Sequence, residues 1–507
     1  MSFQPLEADR EASLEELAPG LSRVILVEAP RGERVAGAAA RKPKTVARLQ
    51  DWQYVERSIH RMIAGWGAHF CEWNDITTCH RHVWEQAECV RRLRERLEQF
   101  PGSSSNLDAP VSHKLEALVN TVLLAPSFHD AVDGIYGILM RALTRSYQLY
   151  GATAHAVHDA PTLATLHEIV GIKEGMRLWR QEFRRRFPHT TDPEYRAAIE
   201  AQLRECGDLL EAVPLERDAD GEALAAGPVG LATDFPLAAE PGRPRDSWQD
   251  IGIGPFLARD FSTSIEARRL FWCYAYMLEM NLAIGQLRWV YNAHYMPWEF
   301  LQDLSRHLWD ESRHGDSGYA RLLDFGLGLA DTGFMPYGMD SEREESRAAR
   351  RELAADPPTG ASGQLPPMTP RELYDAVFVI GMVAETGHFV VKREGYDDFV
   401  EGGDLESAEM MLFDIIDETT HVGYAHRWLP LLAQHAGVDN TDYKERGAQM
   451  RREAAQNHDL RVAELAAMPV DPTDPDYLTY QKLLARMRAV APLSNAETCP
   501  PRSPLPM

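Results

Sequence analysis

The stretch HLWDESRH, His307–His314, decides how this chain is read. It lies in a long helical pattern, and in a helix residues three apart share a face. Glu311 and His314 therefore aim a carboxylate and an imidazole at one point. Two further Glu-x-x-His pairs follow, Glu385/His388 and Glu418/His421. A fourth acid, Glu279, sits on a helical stripe with Ala275, Tyr276, Leu282, Ala283 and Leu287. A glutamate on an apolar stripe is costly unless it is paired or binds a cation. One Glu-x-x-His alone is ordinary solvated helix surface. The ordered set over four helices is the ligand inventory of a carboxylate-bridged dinuclear metal centre. Carboxylates with two imidazoles suit iron or manganese better than zinc or copper.

The bulk of the sequence agrees with a helical, multi-domain chain. At 507 residues it exceeds one core of ordinary size. It is 44% hydrophobic and 25% charged, and its net charge of −23 argues against nucleic-acid or anionic-membrane partners. The cysteines Cys71, Cys79, Cys89, Cys206, Cys273 and Cys499 form no CxxC pair, which suggests reduced thiols and a cytoplasmic setting. The acidic N-terminus is unlike a signal peptide, and no apolar run of about 18 residues is evident, so no membrane segment is expected.

Residues 1–45 read as an N-terminal arm, 46–213 as one helical domain, and the Pro/Gly/Asp-rich 214–255 as a linker. Helical patterns resume over 256–437, interrupted by the Asp331–Pro370 excursion, and 438–507 reads as C-terminal helices and a Pro-rich tail. Alternating strand patterns are missing. The expected class is all-α.

Asp310-Glu311-Ser312-Arg313-His314 resembles the Asp-Glu-x-Arg-His motif of the bacterial multicomponent monooxygenases, with Asp417-Glu418-Thr419-Thr420-His421 as its weaker partner. More broadly, residues 256–435 resemble the ferritin-like di-iron carboxylate proteins, which include ribonucleotide reductase small subunits, acyl desaturases and arylamine N-oxygenases. The resemblance implies that Glu311 and Glu418 bridge two metals, that Glu279 and Glu385 are terminal carboxylates, and that His314 and His421 each bind one ion. It makes Asp310 and Asp417 partners of the far nitrogens of those histidines. His388 is open between a seventh metal ligand and a hydrogen-bonding role. His307 and Asp414, each four residues before a bridging glutamate, could face the site from outside the ligand set. The Asp331–Pro370 excursion matches the long crossover of such bundles.

The first half reads as a degenerate copy. VERSIHRMIAGW and LEMNLAIGQLRW both place a glutamate ten residues before a tryptophan, HVWEQAEC aligns with HLWDESRH, and FHDAVDGIYGILM with LYDAVFVIGMVAE. Glu56 then matches Glu279, but Gln86 replaces Glu311, Cys89 replaces His314 and Met140 replaces Glu385. The expected architecture is two tandem ferritin-like four-helix bundles, the N-terminal one metal-free. Because His82 persists where the ligands are gone, its counterpart His307 reads as structural. The cluster His60, His69, Cys71, His80 and His82 fits no zinc spacing and reads as structural too.

These readings imply an oxygen-activating di-iron oxygenase or oxidase, a monooxygenase by its motif, with O2 as cosubstrate and a small organic substrate. The cofactor would be two iron ions, with manganese or a mixed Mn/Fe pair as alternatives. No dinucleotide motif or Fe–S cysteine set is present, so electrons would come from a ferredoxin or a flavin reductase. Phe378, Met382 and Phe389 are candidates for the substrate pocket, and Trp272, Tyr274, Tyr276 and Tyr424 for an electron path; all serve equally as bundle core. A homodimer is left open. A manganese catalase, a rubrerythrin-like peroxidase and a non-catalytic iron-binding or sensing protein are the other readings.

Overall fold

The computed structural model describes residues 38–101, 107–217, 223–226, 231–232, 235, 237, 253–261, 264–333, 366–467 and 469–490. Most of the expected arm, most of the linker, the centre of the Asp331–Pro370 excursion and the Pro-rich tail lie outside these residues. The described chain is mostly helical, as expected. Its contacts form two compact units, Met1–Ile63 with Glu85–Thr233, and Ala64–Trp84 with Asp234–Met507. The division thus falls within two helices, α1 (Ala38–Gly67) and α2 (Trp73–Glu98), as well as between Thr233 and Asp234.

The first unit continues with β1 (Val111–Ser112), α3 (His113–Leu123) and a run made of α4 (Phe128–Val132), a π-helical segment Asp133–Leu139 and α5 (Met140–Thr153). Helices α6 (Ala160–Arg186) and α7 (Pro193–Glu205) follow, then β2 (Glu216–Arg217) and β3 (Ala223–Ala226). Two of these strands arise in the segment expected to be linker. β3 pairs antiparallel with both β1 and β2, a small departure from a purely helical chain. The core stacks Leu49, Trp52, Val55 and Ile59 of α1 with Leu139, Leu143 and Tyr147 and with Leu166, Ile169 and Met176 of α6, all buried. Each such side chain stabilises the fold by roughly 1.5–3 kcal/mol through apolar burial.

The second unit holds α8 (Gly254–Asp260), α9 (Ile265–Asn292), α10 (Trp298–Asp324) and α11 (Leu329–Thr332). After the undescribed stretch, α12 (Pro370–Val379) runs through a π-helical segment Ile380–Glu385 into α13 (Thr386–Glu401). It ends with α14 (Leu405–Ala436), α15 (Tyr443–Ala467) and α16 (Pro475–Val490). Local chemistry sets these starts. Thr369 accepts from the Glu372 amide while Glu372 accepts from the Thr369 amide, with Pro370 at the first helical position. Asp404 caps α14, which stops at Gly437 in the left-handed region, φ +64.

Two glycines bring α10 against α9. A Cβ on Gly318 would lie 2.4 Å from the Met277 amide nitrogen, and one on Gly315 would lie 2.8 Å from that of Met280. Only bare backbone permits this approach, and it sets Glu279 of α9 beside Glu311 and His314 of α10. The continuous helical run Pro370–Glu401 contains an 18-residue window of mean hydropathy 1.3, so by length and composition it could cross a membrane. The expectation that no such run exists is therefore corrected; this one carries Glu385 and Lys392, both buried.

Candidate metal centre

Four helices of the second unit converge their acids and histidines on one place. Glu279 comes from α9, and His307, Asp310, Glu311 and His314 from α10. Glu385 closes the π-helical segment, Lys392 lies on α13, and Asp414, Asp417, Glu418 and His421 lie on α14. Their ligand-type atoms form three overlapping groups: His307–Glu311–Glu385–His421, Glu279–Glu311–His314, and Glu279–Asp414–Glu418.

The two predicted Glu-x-x-His pairs on α10 and α14 face each other with crossed partners. His421 turns Nδ1 to Glu385 Oε1 at 3.2 Å and to Glu311 Oε1 at 3.5 Å, while its Nε2 lies 3.3 Å from Asp310. His314 turns Nδ1 to Glu279 Oε2 at 3.3 Å and Asp414 Oδ1 at 3.1 Å, while its Nε2 lies 3.3 Å from Asp417. Each histidine thus leans on the aspartate beside the other pair's glutamate. Arg313 bridges Asp310 and Asp417, and Arg306 holds Asp310 at 2.8 Å, so the two aspartates are fixed from outside.

Burial and neighbours set the charges. Burial would raise the Glu279 carboxyl, but Lys392 and His314 outweigh it and hold it at about 2. His307 and His421 likewise overcome burial and lower Glu385. His314 is pushed well above its ordinary range, against burial, by Asp414, Asp417 and Glu279. Glu418 moves the other way: burial, then Asp414, raise it well above a normal carboxylate. Several buried atoms, Glu279 Oε2, His314 Nδ1, Glu385 Oε2, Asp414 Oδ1 and Glu418 Oε2, make no directed hydrogen bond. Like charges packed together with undirected lone pairs are what a cation would resolve. The donor set, four glutamates with two imidazoles, fits two ions of iron or manganese.

Three sequence expectations change here. His307, read as structural, belongs to the cluster: its Nε2 is 2.9 Å from Glu385 and 3.2 Å from Glu311, and its ring stacks on His421 at 3.8 Å. Burial alone would lower its pKa, but Glu385 and Glu311 push it up to about 10. Asp414, expected only near the site, is fully buried inside it and accepts from Tyr276 Oη at 2.7 Å. His388 is not among the convergent groups and is exposed, although it lies three residues on from Glu385.

Lys392 was not anticipated. Its buried Nζ lies 2.7 Å from Asp414 and 3.3 Å from Glu279, and it also bonds Glu418. Nor is the cavity where it was expected. Phe378 stacks on Tyr374 and Phe389 is half-buried. A small cavity of about 20 Å³, room for a water-sized molecule, instead opens beside His307 and His421, lined by Trp289, Phe300, Leu304, Tyr424 and Trp428.

The first unit holds a smaller buried polar cluster at the aligned positions. Lys173 Nζ lies 2.6 Å from Glu56 Oε2 and bonds Gln86 Oε1, Tyr147 donates to Glu56 Oε1 at 2.7 Å, and Gln86 donates to the Glu56 carbonyl at 3.0 Å. Cys89 is fully buried, and burial pushes its thiol up to about 12. Among the described residues, neither this cluster nor the histidines His60, His69, His80 and His82 form a metal-type group. Comparisons of the chain with family models, with curated proteins and with solved structures find no match.

Proposed function

We propose that this protein is a non-haem di-iron oxygenase or oxidase of ferritin-like type, activating dioxygen against a small organic substrate at the centre in the second unit. The crossed aspartates carry the reading. Both histidines present Nδ1 to glutamates and give Nε2 to an aspartate, the arrangement by which proteins fix the tautomer of a metal-binding imidazole. Glu279 and His314 would hold one ion, Glu385 and His421 the other, with Glu311 and Glu418 shared. A bound ferrous pair would supply electrons to dioxygen, replenished by an external ferredoxin or flavin reductase.

The chain's own residues do the rest. Asp310, Asp417 and their arginines hold both imidazoles in place. His307 keeps a proton at Nε2 between Glu311 and Glu385, at the wall of the cavity. The aromatic lining of that cavity limits water beside the centre. The first unit is, on this proposal, a metal-free tandem copy. The motifs recurring in the same order support that, as does a π-helical segment that ends just before Met140 in one unit and at its aligned position Glu385 in the other. We further infer a soluble, cytoplasmic setting.

Anaerobic reconstitution followed by metal analysis tests this. Wild type should take up about two iron ions per chain, Glu311→Ala should take up none, and Gln86→Ala should match wild type. Four ions would refute the metal-free first unit. No uptake by wild type would refute the enzyme. Manganese uptake with peroxide disproportionation would redirect the reading to a catalase.

A further inference from the structure

Lys392 stands inside the proposed centre without belonging to its ligand set. It lies seven residues past Glu385, two helical turns along the same face, and is buried. Its ammonium meets Asp414, Glu279 and Glu418, which are also one of the groups whose oxygens converge as metal ligands would. A cation of the protein's own thus occupies a place built for one.

The charges make this more than a stray contact. Glu279, Glu311, Glu385, Asp414 and Glu418 are five carboxylates against one ammonium, which leaves the four negative charges that two divalent ions neutralise. Asp414 and Lys392 are therefore a self-neutral addition to a four-glutamate set. The addition is lopsided. The His307–Glu311–Glu385–His421 group has no lysine in it, whereas the opposite side shares Glu279 and Glu418 with Lys392. The second oxygen of Glu418 is buried without a directed hydrogen bond, and that of Glu279 meets only His314 Nδ1 at 3.3 Å.

Resting on the dinuclear reading, we propose that Lys392 is an internal counter-ion that makes metal loading stepwise. The first ion enters beside Glu311, Glu385 and His421. The second, beside Glu279 and His314, enters as the ammonium withdraws from Glu279 and Glu418 and keeps Asp414 alone. Lysine suits this role, being a point charge on a flexible stem rather than a rigid fork. Until then it compensates a cluster of buried acids that would otherwise repel one another. Lys392 is a positioning residue in this scheme, not a ligand.

Titration of the full chain with ferrous iron under anaerobic conditions, counting bound ions by equilibrium dialysis, tests the proposal. Wild type should bind two ions in separate steps, the second weaker by about tenfold to a hundredfold, a usual coupling range. The double variant Lys392→Met/Asp414→Asn removes the ammonium and one carboxylate together, and should bind two ions with nearly equal affinity. Lys392→Gln supplies the same contrast should the double variant not fold. The metal-free Lys392→Met protein should melt lower than wild type and recover on adding iron. Two equal steps in wild type, or unequal steps that persist in the variants, would overturn the proposal while leaving the dinuclear centre standing. No iron in any of these proteins would overturn both.

Discussion

In the first unit Glu56, Gln86, Tyr147 and Lys173 satisfy one another, and none of their buried polar atoms lacks a partner. In the second, Glu279, His314, Glu385, Asp414 and Glu418 lie within reach of each other and of Lys392, yet each retains an atom with no directed hydrogen bond. The difference is a matter of charge count. One carboxylate beside one ammonium is complete. Five carboxylates beside one ammonium are not, and they draw on His307 and His314 as well, raising both histidines. Gln86 closes the first cluster, because an amide can both donate and accept where a carboxylate only accepts.

The largest test of this contrast is Lys173→Met. It strands Glu56 in a dry interior and should cost about 3–5 kcal/mol in chemical denaturation. Adding Glu56→Gln should return most of that loss, and supplementing metal should return none. If metal did rescue the single variant, the first unit would not be closed after all. Next in size are the π-helical segments. A Cβ on Gly381 would lie 2.4 Å from Ala425 Cβ, and one on Gly137 would lie 2.5 Å from the Arg180 guanidinium carbon. Alanine at either should cost about 1–3 kcal/mol as overpacking, but only Gly381→Ala should also alter iron affinity.

Acid provides the smallest and most general test. His60 in the first unit and His80 in the second are fully buried, and burial lowers both to about 3 from an ordinary 6.5. Between those values the unfolded chain binds protons that the folded chain refuses. Stability is therefore complete above pH 6.5 and falls as pH drops toward 3, by about 1.4 kcal/mol per pH unit for each histidine at most. His60→Gln should flatten this slope in urea midpoints measured from pH 7 to 5. An unchanged slope would mean that other groups carry the acid sensitivity.

Much of the centre was legible because its logic is local. Spacing of three on a helix identifies Glu311/His314 and Glu418/His421, and Glu279 betrays itself by sitting on an apolar stripe. His307 was missed by an argument from its persisting counterpart His82, though its spacing of four before Glu311 puts both on one face. Lys392 also left a signal, a lone lysine two turns beyond Glu385. What spacing could not convey is the π-helical insertion before Thr386. An extra residue rotates all that follows by about 100° relative to a regular helix. Across it, Phe378 and Met382 take their other expected place as buried core, while Phe389 is half-buried. The strand Ala223–Ala226 carries no β-branched residue and pairs through backbone alone, so propensity gave no warning.

The π-helical segment has one more consequence. Its widened turn leaves the Gly381 carbonyl to the hydroxyl of Thr386, which donates to it at 2.6 Å. Gly381 also lines the cavity. A side-chain clasp thus joins the ends of the π-helical turn at the point where the helix meets that small opening. Thr386→Val should remove the clasp, and faster amide exchange at this turn would show that it holds the turn closed. One threonine and one glycine thus join the helix's irregular turn to the wall of the cavity.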